Sequence, residues 1–244
     1  MNFVVSIVTF LKGGIHGQYD NVSSFLDELI NSMEQRCNEI LEINDASVRY
    51  QVVQYSNYGD KVPLVSSGMS QLNDFSYKVS NEKQKTGNGS CRECQSTCKD
   101  VNGGLIEALK EIDKLPGCTH ILFVCGRDPM HNLLKDCRLV YPYRGIDLNE
   151  QYHTICETIV KRNVKVHFMP VLSKDILLSA NKLREVISNN VFDGRRVEGN
   201  NYIFDEDYIV ESRDNTFDLQ LLEQMKNKFD QILIDEFTKS LQSM

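Results

Sequence analysis

The chain has 244 residues, of which 41% are hydrophobic and 25% are charged, and its formal net charge is -7. This acid excess argues against a general binder of nucleic acid or of anionic membranes. The length is enough for one well-buried α/β domain. We predict a single domain over residues 1–244, with a core at about 3–190 and a C-terminal strand and helix at about 200–242 packed on it.

The N-terminal apolar run and the cysteines bear on the cellular compartment. Phe3 to Leu11 lacks the basic region and cleavage site of an export signal, and it is too short to span a bilayer. Without an export signal, the eight cysteines are expected to be reduced thiols. We therefore predict a cytoplasmic protein without membrane insertion.

The first half of the chain alternates predicted strands and helices. Val4–Phe10 and Ser47–Tyr55 have the composition of strands, and between them apolar residues recur at three- and four-residue spacing from about Asn21 to Leu41, which predicts a helix. A shorter strand is expected near Phe75–Val79. Ser80–Lys99 is polar and has no periodicity, which indicates an exposed loop.

The same alternation continues to the end of the chain. A helical stripe formed by Leu105, Ala108, Leu109 and Ile112 precedes the apolar run Ile121–Val124, which fits a strand covered on both faces. The remaining predicted elements are a helix from Leu148 to Ile159, a strand at Val164–Val171, a helix at Ile176–Ile187, a polar strand around Tyr202–Val210 and a helix from Phe217 to Leu241. The expected fold is a three-layer, Rossmann-like α/β fold in which helices cover both faces of a mostly parallel sheet.

Four segments together resemble the von Willebrand factor A (vWA) domain, most closely the type associated with the atypical alpha-kinases. They are QYSNYGDK at 54–61, DVNGGLIEAL at 100–109, ILFVCGRDPMHN at 121–132 and RGIDLNEQYHTICETIVKRNVKVHFMPV at 144–171. These segments are similar to the family's YRDYGD turn, its EDVxGGLxxAL helix start, its strand ending in DAPCHG, and the helix and strand that follow. The resemblance covers nearly the whole chain.

The resemblance implies a metal-ion-dependent adhesion site, in which hard oxygen ligands hold Mg²⁺ and the ion binds an acidic group of a partner. This sequence departs from that pattern. The first Asp of the motif falls on Thr9, the two hydroxyl positions on Leu11 and Gly13, and the last Asp on Arg127. A shift of one residue brings Asp128 into the last position but leaves the first turn deficient. We therefore expect a degenerate adhesion site without a functional Mg²⁺ ion.

Arg127 offers a different way of capturing an acidic partner. Together with Lys12, it would supply the positive charge of the missing ion, because a guanidinium can hold a carboxylate through two hydrogen bonds. The alternative is that Arg127 forms an internal salt bridge, for example to Asp100 or Asp128, and binds nothing else.

Two further motifs carry alternative functions. Cys91, Cys94 and Cys98 have a spacing that can hold Zn²⁺, although no fourth ligand lies nearby and His120 or a distant residue would have to complete the site. An alternative enzyme site at the same sheet edge would use His131, Asp128 and Cys125 as its polar groups. No nucleophile elbow accompanies it, so a structural role for His131 is the default.

We predict a non-catalytic protein-protein interaction module that requires no cofactor and binds another protein, for which an acidic group is the expected point of contact. The expected contact loops are residues 11–19, 56–62, 87–99 and 126–147. The candidate partner-binding residues are Lys12, Gly13, His16, Asn57, Arg127, Asp128 and His131. The alternatives are a small-molecule or nucleotide-handling enzyme at the same edge, and a regulatory domain stabilised by zinc at Cys91, Cys94 and Cys98.

Overall fold

A computed structural model of the protein describes residues 2–10, 28–39, 47–55, 64–71, 100–133, 146–171, 173–205 and 219–242. Its strands are β1 (Asn2–Phe10), β2 (Ser47–Tyr55), β3 (Leu64–Ser66), β4 (Ser70–Gln71), β5 (Thr119–Gly126), β6 (Lys165–Pro170) and β7 (Ile203–Asp205). Its helices are α1, in which residues 28–39 are described, α2 (Val101–Asp113), α3 (Leu148–Lys161), α4 (Ile176–Asn189) and α5 (Leu219–Gln242).

The described strands form one mixed sheet in the order β3-β2-β1-β5-β6-β7, with β4 also paired to β2. Strands β1, β2, β5, β6 and β7 are parallel, whereas β3 and β4 run antiparallel to β2. In the sheet, β2 follows on one side of β1 and β5 on the other side. The carboxyl ends of β1 and β5 therefore flank the point at which the strand order reverses, where α/β sheets bind their ligands.

Helices cover both faces of the sheet, as the alternating pattern predicted. One apolar cluster joins α1 and α5 to inward-facing residues of β1, β2 and β5, among them Phe3, Ile7 and Phe123. The other cluster joins α2, α3 and α4 to the opposite face, which carries Val4 and Val8. Alternate residues of β1 thus enter different cores, which explains why its apolar run is continuous. The predicted α/β fold class is confirmed.

Side-chain caps explain where two of the helices begin. The Asp100 carboxylate accepts the Gly103 backbone N–H at 2.8 Å and so caps α2. The Asp147 carboxylate accepts the N–H groups of Asn149 at 2.9 Å and Glu150 at 3.1 Å and so caps α3. These contacts satisfy backbone donors that have no acceptor within the helix.

The main departure from the sequence prediction lies after β2. The sequence predicted no strand between Tyr55 and Phe75, but residues 64–71 contain β3 and β4. Ser67 ties this segment to β2, because its N–H donates to the Val52 carbonyl at 2.9 Å and its hydroxyl accepts the Val52 N–H at 2.9 Å. Such short strands form by pairing with a neighbour and leave little periodicity to detect. The strand expected near Phe75–Val79 lies outside the described residues.

Among the helical residues that the structure describes, none forms a segment with the length and apolar character needed to cross a membrane.

Candidate functional site

The carboxyl ends of β1, β2 and β5 meet the first turn of α2 at one edge of the sheet. Thr9 in β1 pairs in register with Gln54 of β2 and Cys125 of β5. A β-carbon at Gly104, in the first turn of α2, would lie only 3.0 Å from Val8 and 3.1 Å from the Tyr55 ring. We refer to Thr9, Tyr55 and Gly126–Asp128 together as the strand-end site.

Arg127 is the cationic group of the strand-end site. Its Nε atom lies 3.3 Å from Oδ1 of Asp128, and the Arg127 side chain is 36% exposed whereas that of Asp128 is 14% exposed. The Nε atom is buried and makes no hydrogen bond, so this contact is electrostatic rather than a well-aligned hydrogen bond. The structure thus contains the Arg127–Asp128 ion pair that the sequence offered as the alternative to partner binding, and it leaves part of the guanidinium open to solvent.

The turn that carries Arg127 is anchored on both sides. The Gly126 carbonyl accepts the Val171 N–H at 2.9 Å, and the Met130 N–H donates to the Ser179 hydroxyl at 2.8 Å. The Tyr152 hydroxyl donates to the His131 carbonyl at 2.9 Å. Contacts to β6, α3 and α4 therefore hold this turn in place, and they position Arg127 on a rigid support.

His131 lies inside this anchored turn. His131 is 7% exposed, and its backbone carbonyl accepts a hydrogen bond from the Tyr152 hydroxyl. The sequence placed His131 among the candidate partner-binding residues, although a structural role was the default expectation. Its backbone contact supports the structural role, because it ties the turn after β5 to α3.

Tyr55 was not among the residues selected from the sequence. It is 1% exposed, and within the described part of the chain its hydroxyl group has no hydrogen-bond partner. A β-carbon at Gly126 would lie 2.4 Å from this hydroxyl oxygen, so the two residues touch across the intervening strand β1. Burial raises the pKa of Tyr55, and the nearby charge of Asp128 raises it further. Tyr55 is therefore a neutral hydroxyl lacking an acceptor.

The close contact between Gly126 and Tyr55 yields a stability prediction. We expect Gly126→Ala to lower the free energy of unfolding by about 1–3 kcal/mol, because the added methyl group overlaps a buried hydroxyl that has little room to move. Tyr55→Phe should remove most of that loss in the double variant. Urea unfolding of the two single variants and the double variant measures the coupling. If Gly126→Ala lowers the free energy of unfolding equally with and without the Tyr55 hydroxyl, this contact is contradicted.

The described donors do not fit a Mg²⁺ site of the adhesion type. Thr9 provides a buried hydroxyl without a hydrogen-bond partner, but the position of the last carboxylate is occupied by Arg127, whose charge repels a cation. Leu11 and Gly13, the other two aligned positions, lie outside the described residues. In the described ranges, no three His, Cys, Asp or Glu side chains come together as a metal-binding group.

The remaining polar groups bear on the enzyme and zinc alternatives. Cys125 is fully buried, and burial raises its pKa to about 12, so its thiol stays protonated at neutral pH and is a poor nucleophile. His120 lies at the start of β5, at the sheet edge opposite Gly126, and burial lowers its pKa to about 4. Cys37, Cys118, Cys125 and Cys156 are free thiols.

Several predicted site residues lie outside the described residues. They are Lys12, Gly13, His16 and Asn57 of the partner-binding set, and Cys91, Cys94 and Cys98 of the alternative zinc site. Of the predicted partner-binding residues within the described ranges, Arg127, Asp128 and His131 all lie in the turn after β5. Their proximity follows from the sequence itself, because they are close neighbours in the chain.

No protein-family model matches the sequence, and neither does any curated protein. Among solved structures, the pilus adhesin SpaC from Lactobacillus rhamnosus GG is similar to the chain in two crystal forms. The open conformation superimposes with a TM-score of 0.47 at 13% identity, and the other form with a TM-score of 0.50 at 11% identity. Each match covers 94% of this chain but only 30% of the adhesin, so the chain spans less than a third of that protein. At this level of identity the likeness concerns the fold alone.

Proposed function

We propose that this protein is a non-catalytic interaction module of vWA type that binds an acidic group of another protein at the strand-end site, without a metal ion. The observation that carries the proposal is the position of Arg127. It directly follows the central strand β5, beside the carboxyl end of β1, and its side chain is 36% exposed. In α/β sheets of this order, ligands bind at this point.

The chemistry of Arg127 suits a carboxylate ligand. A guanidinium is always charged and presents its N–H donors in a planar fork that matches a carboxylate. The ion pair with Asp128, at 3.3 Å between partly exposed side chains, contributes little to stability and leaves the guanidinium able to exchange partners. An incoming carboxylate would therefore compete against a weak internal contact.

The enzyme and zinc alternatives have less support. Covalent catalysis by Cys125 would need a reactive thiolate, and this thiol is fully buried with a pKa of about 12. The cysteines of the zinc alternative lie outside the described residues, so no geometry favours that function. Interaction through Arg127 remains the proposal with a direct structural basis.

Peptide selection tests the proposed function directly. We expect a random peptide library displayed on phage to yield sequences enriched in Asp and Glu when it is selected against the full chain. Arg127→Ala should weaken the binding of the selected peptides by about 10- to 100-fold, which is the effect of losing a charge-assisted hydrogen bond of about 1.5–3 kcal/mol. The affinity of the Arg127→Lys variant should fall between those of the unsubstituted chain and Arg127→Ala, because lysine keeps the charge but lacks the planar fork.

Arg49→Ala is the matched control for this experiment. Arg49 is exposed in the first half of β2, away from its carboxyl end, and its loss changes the net charge by the same amount. Equal weakening by Arg49→Ala would mean that the peptides respond to general charge. Unchanged binding to a folded Arg127→Ala variant would rule out the strand-end site as the acceptor of acidic groups.

A further inference from the structure

Two hydrogen-bond donors at the strand-end site have no acceptor among the residues that the structure describes. The Arg127 Nε atom is buried and makes no hydrogen bond, although Asp128 Oδ1 lies 3.3 Å away. The Tyr55 hydroxyl is also buried and has no hydrogen-bond partner. Buried donors without acceptors are rare in folded proteins, because each one gives up its hydrogen bonds to water without replacement. Each of these two donors would gain a hydrogen bond if a carboxylate came within reach.

The chain brings the Tyr55 hydroxyl close to the Arg127–Asp128 pair. A β-carbon at Gly126, the residue directly before Arg127, would lie 2.4 Å from this hydroxyl oxygen. The charge of Asp128 also reaches Tyr55, since it is one of the groups that raise the pKa of the phenol. The Asp128 carboxylate thus contacts Arg127 directly and acts on Tyr55 through its charge.

We propose that Asp128 is an internal occupant of the Arg127 site, and that an arriving carboxylate displaces it onto the hydroxyl of Tyr55. This inference rests on the proposed function, since it concerns how the same site is regulated. Before displacement, Arg127 holds Asp128 in a poorly aligned ion pair, and Tyr55 has no acceptor. After displacement, Arg127 donates to the partner and Tyr55 donates to Asp128, while the phenol keeps its proton throughout.

The exchange assigns different roles to the two residues. Asp128 lowers the affinity of the site for acidic groups by competing for Arg127. Tyr55 raises that affinity as a positioning residue, because it stabilises Asp128 in the displaced position and never touches the partner. A purely structural Tyr55 would have no such effect, and removing its unpaired hydroxyl would leave binding unchanged.

Acetate, the simplest carboxylate, serves as the probe for this exchange. The full chain is titrated with sodium acetate, with sodium chloride as the control for ionic strength, and the Arg127 Nε–H resonance is followed by NMR. Asp128→Ala, and Asp128→Asn as the variant of similar shape, should bind acetate several-fold more tightly than the unsubstituted chain. Tyr55→Phe should bind it several-fold more weakly, without a lower Tm.

The double variant isolates the coupling between the two residues. Once Asp128 is replaced by Ala, Tyr55→Phe should no longer change acetate binding, because no carboxylate remains to be accommodated. Weaker acetate binding in both Asp128 variants, or no effect of Tyr55→Phe on binding, would overturn the exchange while leaving Arg127 as the acceptor. Acetate shifts no larger than chloride shifts, in the unsubstituted chain and in Asp128→Ala alike, would instead contradict the proposed function.

Discussion

Phe229→Ala is expected to lower the free energy of unfolding by about 3–5 kcal/mol, the cost of emptying an aromatic position in a packed core. Phe229 in α5 is 1% exposed, and its ring centroid lies 4.6 Å from that of Phe123 in β5. A second aromatic pair, Phe3 with Phe237, holds the end of the same helix at a centroid distance of 3.8 Å. Helix α5 therefore covers the central strands on the face opposite α2, and its docking depends on this contact.

Ile234→Ala is the control for the Phe229 prediction. Ile234 lies in the same helix but is 47% exposed, so its replacement should change the free energy of unfolding by no more than about 0.5 kcal/mol. Urea unfolding monitored by circular dichroism gives both values. Similar losses for the two variants would mean that burial of Phe229 is not what docks α5 on the sheet.

Acidification from about pH 6.5 to about pH 3 is expected to destabilise the protein by several kcal/mol through His167. His167 is 5% exposed and lies between the rings of Phe123, at 5.6 Å, and Phe204, at 5.0 Å. Burial, together with the smaller effects of the charges of Lys239, Lys165 and Lys228, lowers its pKa to about 3. Among the described residues, neither ring nitrogen makes a hydrogen bond that would stabilise the protonated ring.

The nearby carboxylate does not reverse this effect. Glu236 Oε1 lies 3.9 Å from His167 Nε2, but the same oxygen accepts from Lys239 Nζ at 2.8 Å. At neutral pH the imidazole is uncharged, so the contact between His167 and Glu236 is not an ion pair. Between pH 6.5 and pH 3 the unfolded chain binds a proton at this position and the folded chain does not. Stability therefore falls as the pH falls through this window.

His167→Gln should reduce the slope of the unfolding free energy against pH by up to about 1.4 kcal/mol per pH unit, which is the contribution of one proton. Denaturant unfolding at a series of pH values between 7 and 4 measures the slope. His153→Gln, which replaces an exposed histidine of α3, should leave the slope unchanged. A His167→Gln slope equal to that of the unsubstituted chain would show that another group controls the acid response.

Local patterns in the sequence predicted the main elements well. The apolar residues of α2, α3 and α4 recur with helical spacing, and Ile121–Val124 form a continuous apolar run, so each pattern reports burial that its own segment requires. The same reasoning failed for β3 and β4, whose pairing with β2 supplies stability that their own residues do not signal. The resemblance to vWA domains remains a prediction.

The candidate site was predictable only where its residues are neighbours in the chain. Arg127, Asp128 and His131 follow the buried strand β5, and their place at the carboxyl edge of the sheet follows from that order alone. Tyr55 reaches Gly126 across β1, and His167 meets Glu236 only because α5 packs on that face of the sheet. Periodicity and composition carry no information about such contacts, because they join segments whose separation in the chain is unrelated to their distance in space. Burial, which leaves the Tyr55 hydroxyl without an acceptor and lowers the pKa of His167, is likewise a property of the packed molecule.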